Sequence, residues 1–561
     1  MNPKLKPILF ALHRMFPSVA ISGSKGQELG AGSFITGRTS TATVVDSYGL
    51  VVTCAAGETR YTGGRTERNI ATASSIAVAG TMTLTLTAGD YVFVMGAGTG
   101  TATFSGTGGA TGTLSANASS RTSMMKTITA GTLIITGSVA TLTQVMVCDV
   151  SGRSNQNPPE YIDYNTVYNC GVVGVKSFDT TNGNTVSSNL VTEAQGVLLA
   201  TKPTILVEPL VTSLVLYSDT MLASGSTWVV DTATPVNTIG VSGKNTAVLV
   251  TEAVSTNPHV TYQLRTVTAN SIYTYCICIK PGTRQYVRFS MGDLATQAAF
   301  GITINTITME ISSSGAGSSA SILNYSKQTL VGGWSRFTIT GTINSVSGYI
   351  SVAPTTSSVW ATGTPPSTPG GQTYCLDSAD IFNNVFASSH TSTTTAAVTR
   401  AKDTFSILST GNIDVTKGLL LLRFTESTFA TAILAKFISL TSGSNLLYKD
   451  ISNNNIKSSD GTNTASLPVT FSTLSDCIFA LAWSSQLGQM LIALSIDVGL
   501  TWTYTTASFD GSFTTGSAIE VLNTIEVPAN LKAFKVYPNL PGNMSATLSW
   551  IKQKAVQETV G

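Results

Sequence analysis

Hydrophobic and polar positions alternate with a period of two in TMTLTLTAGDYVFVMG, beginning at residue 81. The alternation returns between 213 and 385 in TYQLRTV, YTYCICIK, QYVRFSM and WSRFTITGTI, and between 403 and 561 in LLLLRFT, CIFALAWSS, MLIALSID, WTYTTASF and LKAFKVY. Successive side chains of a strand point to opposite faces, so each stretch predicts a strand with one face turned inward. Such strands recur at short intervals with no long helical period between them. The pattern predicts an all-β chain of tandem antiparallel sandwiches. The exception is KLKPILFALHRMF, where Leu5, Ile8, Leu9, Leu12 and Phe16 fall near helical spacing, with Pro7 in the first turn and Pro17 beyond the end. A short amphipathic helix cannot bury its apolar face alone, so these five residues are docking candidates.

Breaks in the alternation divide the chain. Residues 1–33 form an N-terminal arm, 34–69 a separate segment, and 70–150 a small β-domain built almost wholly of Thr, Ala, Gly, Ser and Val. The Pro- and Asn-rich SGRSNQNPPEYIDYN opens a linker with connecting strands over 151–212, followed by sandwiches over 213–402 and 403–561. Trp360 stands in a long loop, APTTSSVWATGTPPSTPGGQTY.

At 561 residues the chain exceeds one ordinary core, and its 11% charged residues and net charge of +2 supply no basic field for a phosphate backbone. Nucleic acid is therefore not an expected partner. No run of about 18 uninterrupted apolar residues predicts a membrane span, and His13 and Arg14 cut the N-terminal apolar run short of a secretory h-region. Seven cysteines without a repeated spacing argue against a disulfide framework. Cys276 and Cys278, one residue apart in TYCICIK, should place both sulfurs on one strand face, as packing residues and not as metal ligands.

The three histidines, His13, His259 and His390, limit nucleophilic chemistry, and only His259 in NPHVTYQL stands where a base could serve. Asp293, Asp377, Asp497, Asp510, Glu520 and Glu526 are the acids from which a glycoside-cleaving pair would have to come. No catalytic residue and no cofactor is expected. SIDVGLTW has the Asp-box pattern of sialidases, but it occurs once, whereas a propeller repeats it in its blades. Asp497, Gly499 and Trp502 are read as a hairpin turn: aspartate capping amides, glycine at positive φ, tryptophan packed beneath. In RQYVRFS, Val287 and Phe289 point to the core, leaving Arg284, Tyr286 and Arg288 on the other face. An exposed ring flanked by guanidinium groups would suit an acidic sugar, and the alternative is that the arginines bridge acids on neighbouring strands. Trp360 is a second candidate for stacking on a sugar, with plugging of the sandwich end as the alternative.

In order along the chain, several stretches resemble the modular structural proteins of tailed bacteriophages. FITGRTSTATVVDSYGLVVTCAAGETRYTGGRTERNI carries Arg38, Ser40, Ala42, Thr43, Gly57, Glu58, Arg60 and Arg65 in the pattern of a segment that opens many phage minor structural proteins. EYIDYNTVYNCGVVGVKSFDTTNG resembles a second such segment, and IYTYCICIKPGTRQYVRFSMGD with VGGWSRFTITGTI resembles their carbohydrate-binding-like jelly roll. FASSHTSTTTAAVTRAKDTFSI echoes the closing segment of that module, although CLDSADIF stands where a Gln-Leu-Glu motif is usual. LAWSSQLGQMLIALSID and LKAFKVYPNLPG are similar to late strands of a concanavalin A-like lectin sandwich. The resemblance implies a virion protein, a head or tail fibre, that self-associates as a homotrimer. It would dock on other virion proteins by its N-terminal region and present lectin-like domains to host cell-surface polysaccharide, without inserting into a membrane. Alternatives are a purely structural capsid or tail decoration protein, a polysaccharide depolymerase and a secreted adhesin.

Overall fold

The computed structural model describes residues 35–153 and 204–560 apart from short internal stretches, with strands also at Val19–Ser22, Gly26–Leu29, Thr166–Cys170, Ser177–Phe178 and Thr185–Ser187. The helix expected at 4–16, with Leu5, Ile8, Leu9, Leu12 and Phe16, lies outside the described residues. Every strand ladder is antiparallel, and the architecture is nearly all β.

The small domain packs a three-stranded sheet, centred on Gly89–Met95, against a four-stranded one. Thr81–Leu86 alternates strictly between exposed threonines and buried Met82, Leu84 and Leu86, as its sequence requires. Phe93 and Phe104 meet edge to face at 4.9 Å in its core.

In the second unit an eight-stranded and a six-stranded sheet face each other in a jelly-roll-like sandwich. Strand Ile272–Lys280 turns Tyr273, Tyr275, Ile277 and Ile279 into the core. Its Cys276 and Cys278 share the other face, as alternation demands. There they enter separate apolar clusters, Cys278 beside Trp334 and Cys276 beside Phe382.

The third sandwich pairs nine strands with seven. Its central strands read as continuous apolar runs because both faces of that sheet are covered. Leu420, Leu422 and Phe424 of Lys417–Glu426 point into the sandwich core, while Leu419 and Leu421 point outward beneath a C-terminal helix, Met544–Val560. Facing that helix, Ala480, Ala482 and Ala493 keep the sheet surface low enough for Met544, Trp550 and Ile551 to lie on it. Asn543 caps the helix, accepting from the Ala546 amide at 2.9 Å.

Segment 34–69 lends its strands to its neighbours. Ile35–Thr36 pairs with Phe405–Leu408, Tyr61–Thr62 with Thr204–Val207, and Ala42–Val45 forms a hairpin with Val51–Cys54 between the sandwiches. Part of the arm is used likewise: Val19–Ser22 adds to the edge of Ala529–Tyr537 and carries Gly26–Leu29 with it. An edge strand gains its missing hydrogen bonds this way, which explains why these short pieces form no core of their own.

Candidate functional site

The seam between the two large sandwiches is held by buried charge. Arg38 Nη1 donates to Asp403 Oδ1 at 2.8 Å, Arg60 donates to Glu208 Oε2 at 2.6 Å and also to Asp403 Oδ2, and Arg400 lies 3.5 Å from Glu208 and 3.7 Å from Asp403. All five side chains are almost wholly enclosed. Backbone carbonyls take further guanidinium protons, Ala55 from Arg38, Thr43 from Arg60 and Pro209 from Arg400, while the buried Nε of Arg60 and of Arg400 finds no acceptor among the described residues. Glu208 further accepts from the Ser389 amide and hydroxyl, both at 2.6 Å. Burial alone would raise the Glu208 pKa, but Arg60 and Arg400 outweigh it and hold the carboxyl at about 2. Burial opposes the Arg60 charge, and Glu208 with Asp403 more than restores it. The serine and threonine of the opening segment join in: Ser40 Oγ accepts from the Ala401 amide at 2.8 Å, and Thr43 Oγ1 donates to the His390 carbonyl at 2.7 Å.

Next to this clasp, His390 is held at both ring nitrogens. Nδ1 stands 2.8 Å from Asp380 Oδ2, and Nε2 bonds Asp219 Oδ1. Burial disfavours its charge, yet the two carboxylates outweigh burial and hold the imidazolium well above the usual histidine range. With both nitrogens bound to carboxylates, the ring has no lone pair for accepting a substrate proton. Asp377 behaves oppositely: burial and the nearby Asp219 push it up to about 6, although it accepts from the amides of Val241 and Ser378 at 2.8 and 2.9 Å. Asp377 and Asp380 both belong to CLDSADIF.

Ser378 and His390 line a cleft of about 500 Å³ between the small domain, the Ala42–Cys54 hairpin and the 241–246 loop of the jelly-roll-like unit. Across it Lys244 pairs with Asp149 at 2.7 Å and donates to Thr87 Oγ1 at 2.9 Å. Gly152 and Gly243 touch behind this pair. A Cβ on Gly243 would stand 2.5 Å from the Ser151 carbonyl oxygen, and Gly243 has φ +75, so the approach needs glycine on both counts.

The strand RQYVRFS turns Val287 and Phe289 into the core as its alternation predicts, but the other face is not open. Arg284 is 4% exposed and bonds Glu252 through Nε at 2.6 Å and Nη2 at 2.5 Å, the bridging alternative. Arg288 is buried and donates to the Ala361 carbonyl at 2.8 Å; loss of water brings its pKa down to about 10. Tyr286 is half-buried. Trp360 is 8% exposed, the position of a plug and not of an exposed stacking ring. Its indole lies flat on Gly301 and Gly315 and donates to Ser290 Oγ at 3.3 Å, so the loop folds back over the sheet and seals the face. The expected sugar platform is thus a covered surface. His259 is buried with Nδ1 3.4 Å from Glu252.

Asp497 accepts from the Thr501 amide at 2.8 and 3.0 Å, Gly499 has φ +89, and Trp502 Nε1 donates to the Gly499 carbonyl at 3.0 Å. The box closes the hairpin between Gln489–Ser495 and Thr503–Ser508. Among the acids, Glu520 accepts from Ser439 and Thr441, Asp510 donates its amide to Asp460, and Glu526 lies outside the described residues. Sequence reasoning missed Glu208, Asp219, His390, Arg400 and Asp403, whose partners are up to 365 residues away. One signal was available: with 29 acids in 561 residues, a glutamate inside the apolar ILVEPL is a candidate for buried pairing. Compared with protein-family models and with curated proteins, the chain matches none.

Proposed function

We propose that the chain is a structural component of a tailed-phage virion, a fibre or appendage whose sandwiches project from the particle. The observation that carries this reading is the Arg38–Arg60–Glu208–Arg400–Asp403 clasp. The opening and closing segments that resemble phage structural proteins meet there, at the seam of the two large sandwiches. A rigid post with its charge spent internally suits load-bearing better than turnover, and the doubly bonded His390 favours the same side. The N-terminal region, together with neighbouring virion proteins and further copies of the chain, supplies the attachment.

An antibody against the full chain, applied to gradient-purified particles of a phage that encodes it, should decorate them at a fixed position. Bare particles, with the chain left in the soluble lysate, would overturn the reading. The depolymerase alternative predicts new reducing ends from bacterial capsule, and the adhesin alternative predicts cleavage near Ala20 by intact mass.

A further inference from the structure

The cleft between the small domain and the jelly-roll-like unit is built in a manner that packing alone does not require. Ser378, which lines it, has left-handed backbone at φ +46, as has the nearby Tyr217 of the jelly-roll-like core, at φ +52. Backbone strain of this kind concentrates where a side chain is being aimed. The two distortions are tied together: the Ala379 amide donates to the Ser218 carbonyl at 3.3 Å. Ser378 sits where the ladder with Ile272–Lys280 skips a residue, a bulge that redirects its side chain toward Asp219, 3.5 Å away.

The lining decides the ligand chemistry. Its charges are engaged within the protein, Lys244 with Asp149, His390 with Asp219, Arg68 with Glu58 and Arg153 over the Tyr48 ring at 5.1 Å, so little is left to select a charged guest. What remains is a wall of hydroxyls, among them Thr53, Thr85, Ser242 and Ser392, beside the apolar edges of Leu50 and Val51. Hydroxyls that both donate and accept, set against small apolar patches, complement the two kinds of surface on a sugar ring. We propose that this cleft binds an uncharged, polyhydroxylated ligand, an oligosaccharide of roughly two or three rings by its volume of about 500 Å³. The site rests on the reading of the chain as a host-facing appendage, and it replaces the sealed Arg284–Arg288 face as the place of recognition.

The test uses the full-length chain on an array of neutral hexose and N-acetylhexosamine oligosaccharides, with sialylated and uronic-acid oligosaccharides alongside. Thr53→Trp and Thr85→Trp fill the cleft from exposed strand positions that tolerate aromatics, and Thr103→Trp, on an exposed strand position away from the cleft, is the control. Retention of neutral oligosaccharides, weakened roughly tenfold or more by either filling variant and unchanged by the control, is the expected result. No retention by the wild-type chain, retention indifferent to both filling variants, or preference for the acidic set would each overturn the proposal. None of these outcomes alters whether the antibody decorates particles, so the virion reading stands or falls separately.

Discussion

Replacing Asp403 by alanine removes the carboxylate that Arg38 and Arg60 both use, leaving Arg60 and Arg400 on Glu208 alone and the enclosed Arg38 without a carboxylate. Breaking a buried pair from one side costs about 3–5 kcal/mol, because the surviving charge has neither partner nor water. For a cooperative unit of about 150–250 residues, at ~2–4 °C per kcal/mol, the unfolding midpoint should fall by roughly 6–20 °C. Calorimetry at pH 7 reads this directly. The internal standard is Glu310→Ala, which removes a pair to Lys327 whose carboxylate is 65% exposed and should change stability by less than about 1 kcal/mol. Removing Arg38 together with Asp403 should recover part of the loss, since much of the penalty belongs to the orphaned guanidinium. If Asp403→Ala costs no more than Glu310→Ala, the seam is wet and the clasp holds nothing.

Glu208 makes the clasp pH-dependent. Its folded pKa of about 2 lies below the ordinary 4.5, so its stabilisation is complete above about 4.5 and lost as pH falls toward 2. Asp377, raised from 3.8 to about 6, has the opposite sign: its contribution is present below 3.8 and lost as pH rises through 6. Urea titrations from pH 2 to 7 should show both slopes, with Glu208→Gln abolishing the first and Asp377→Asn the second. Trp360→Ala should destabilise by about 3–5 kcal/mol in chemical denaturation while leaving oligosaccharide retention unchanged, because the indole fills space over Gly301 and Gly315. Gly243→Val should part the small domain from its neighbour and give it a separate, earlier calorimetric transition. Truncation before Met544 should uncover Leu419, Leu421 and Leu491 and turn the chain into one that aggregates in light scattering. Fragments starting at 205 are poor material for such work, since they lack the strands that Val19–Ser22, Ile35–Thr36 and Tyr61–Thr62 contribute to the last sandwich and its edge.

The period-two alternation by itself determined that the chain is predominantly β and which residues of each strand share a face, because strand geometry is local. Cys276 and Cys278 share one face, Val287 and Phe289 share the face opposite Arg284 and Arg288, and Asp497 with Gly499 closes a turn wherever the hairpin sits. Alternation says which residues share a face but not what lies on it. Only the tertiary structure decided that the Arg288 face is roofed by the 355–361 loop, and that the Leu419 face is roofed by a helix whose own sequence has little amphipathic contrast. The clasp was equally illegible, since Arg38 meets Asp403 across 365 residues and no local spacing encodes such a meeting. What the composition did foreshadow is its strength: a chain with few charges that encloses five of them in one place must satisfy each by a partner, for the desolvation of an unpaired one would exceed anything the surrounding β-sheet returns.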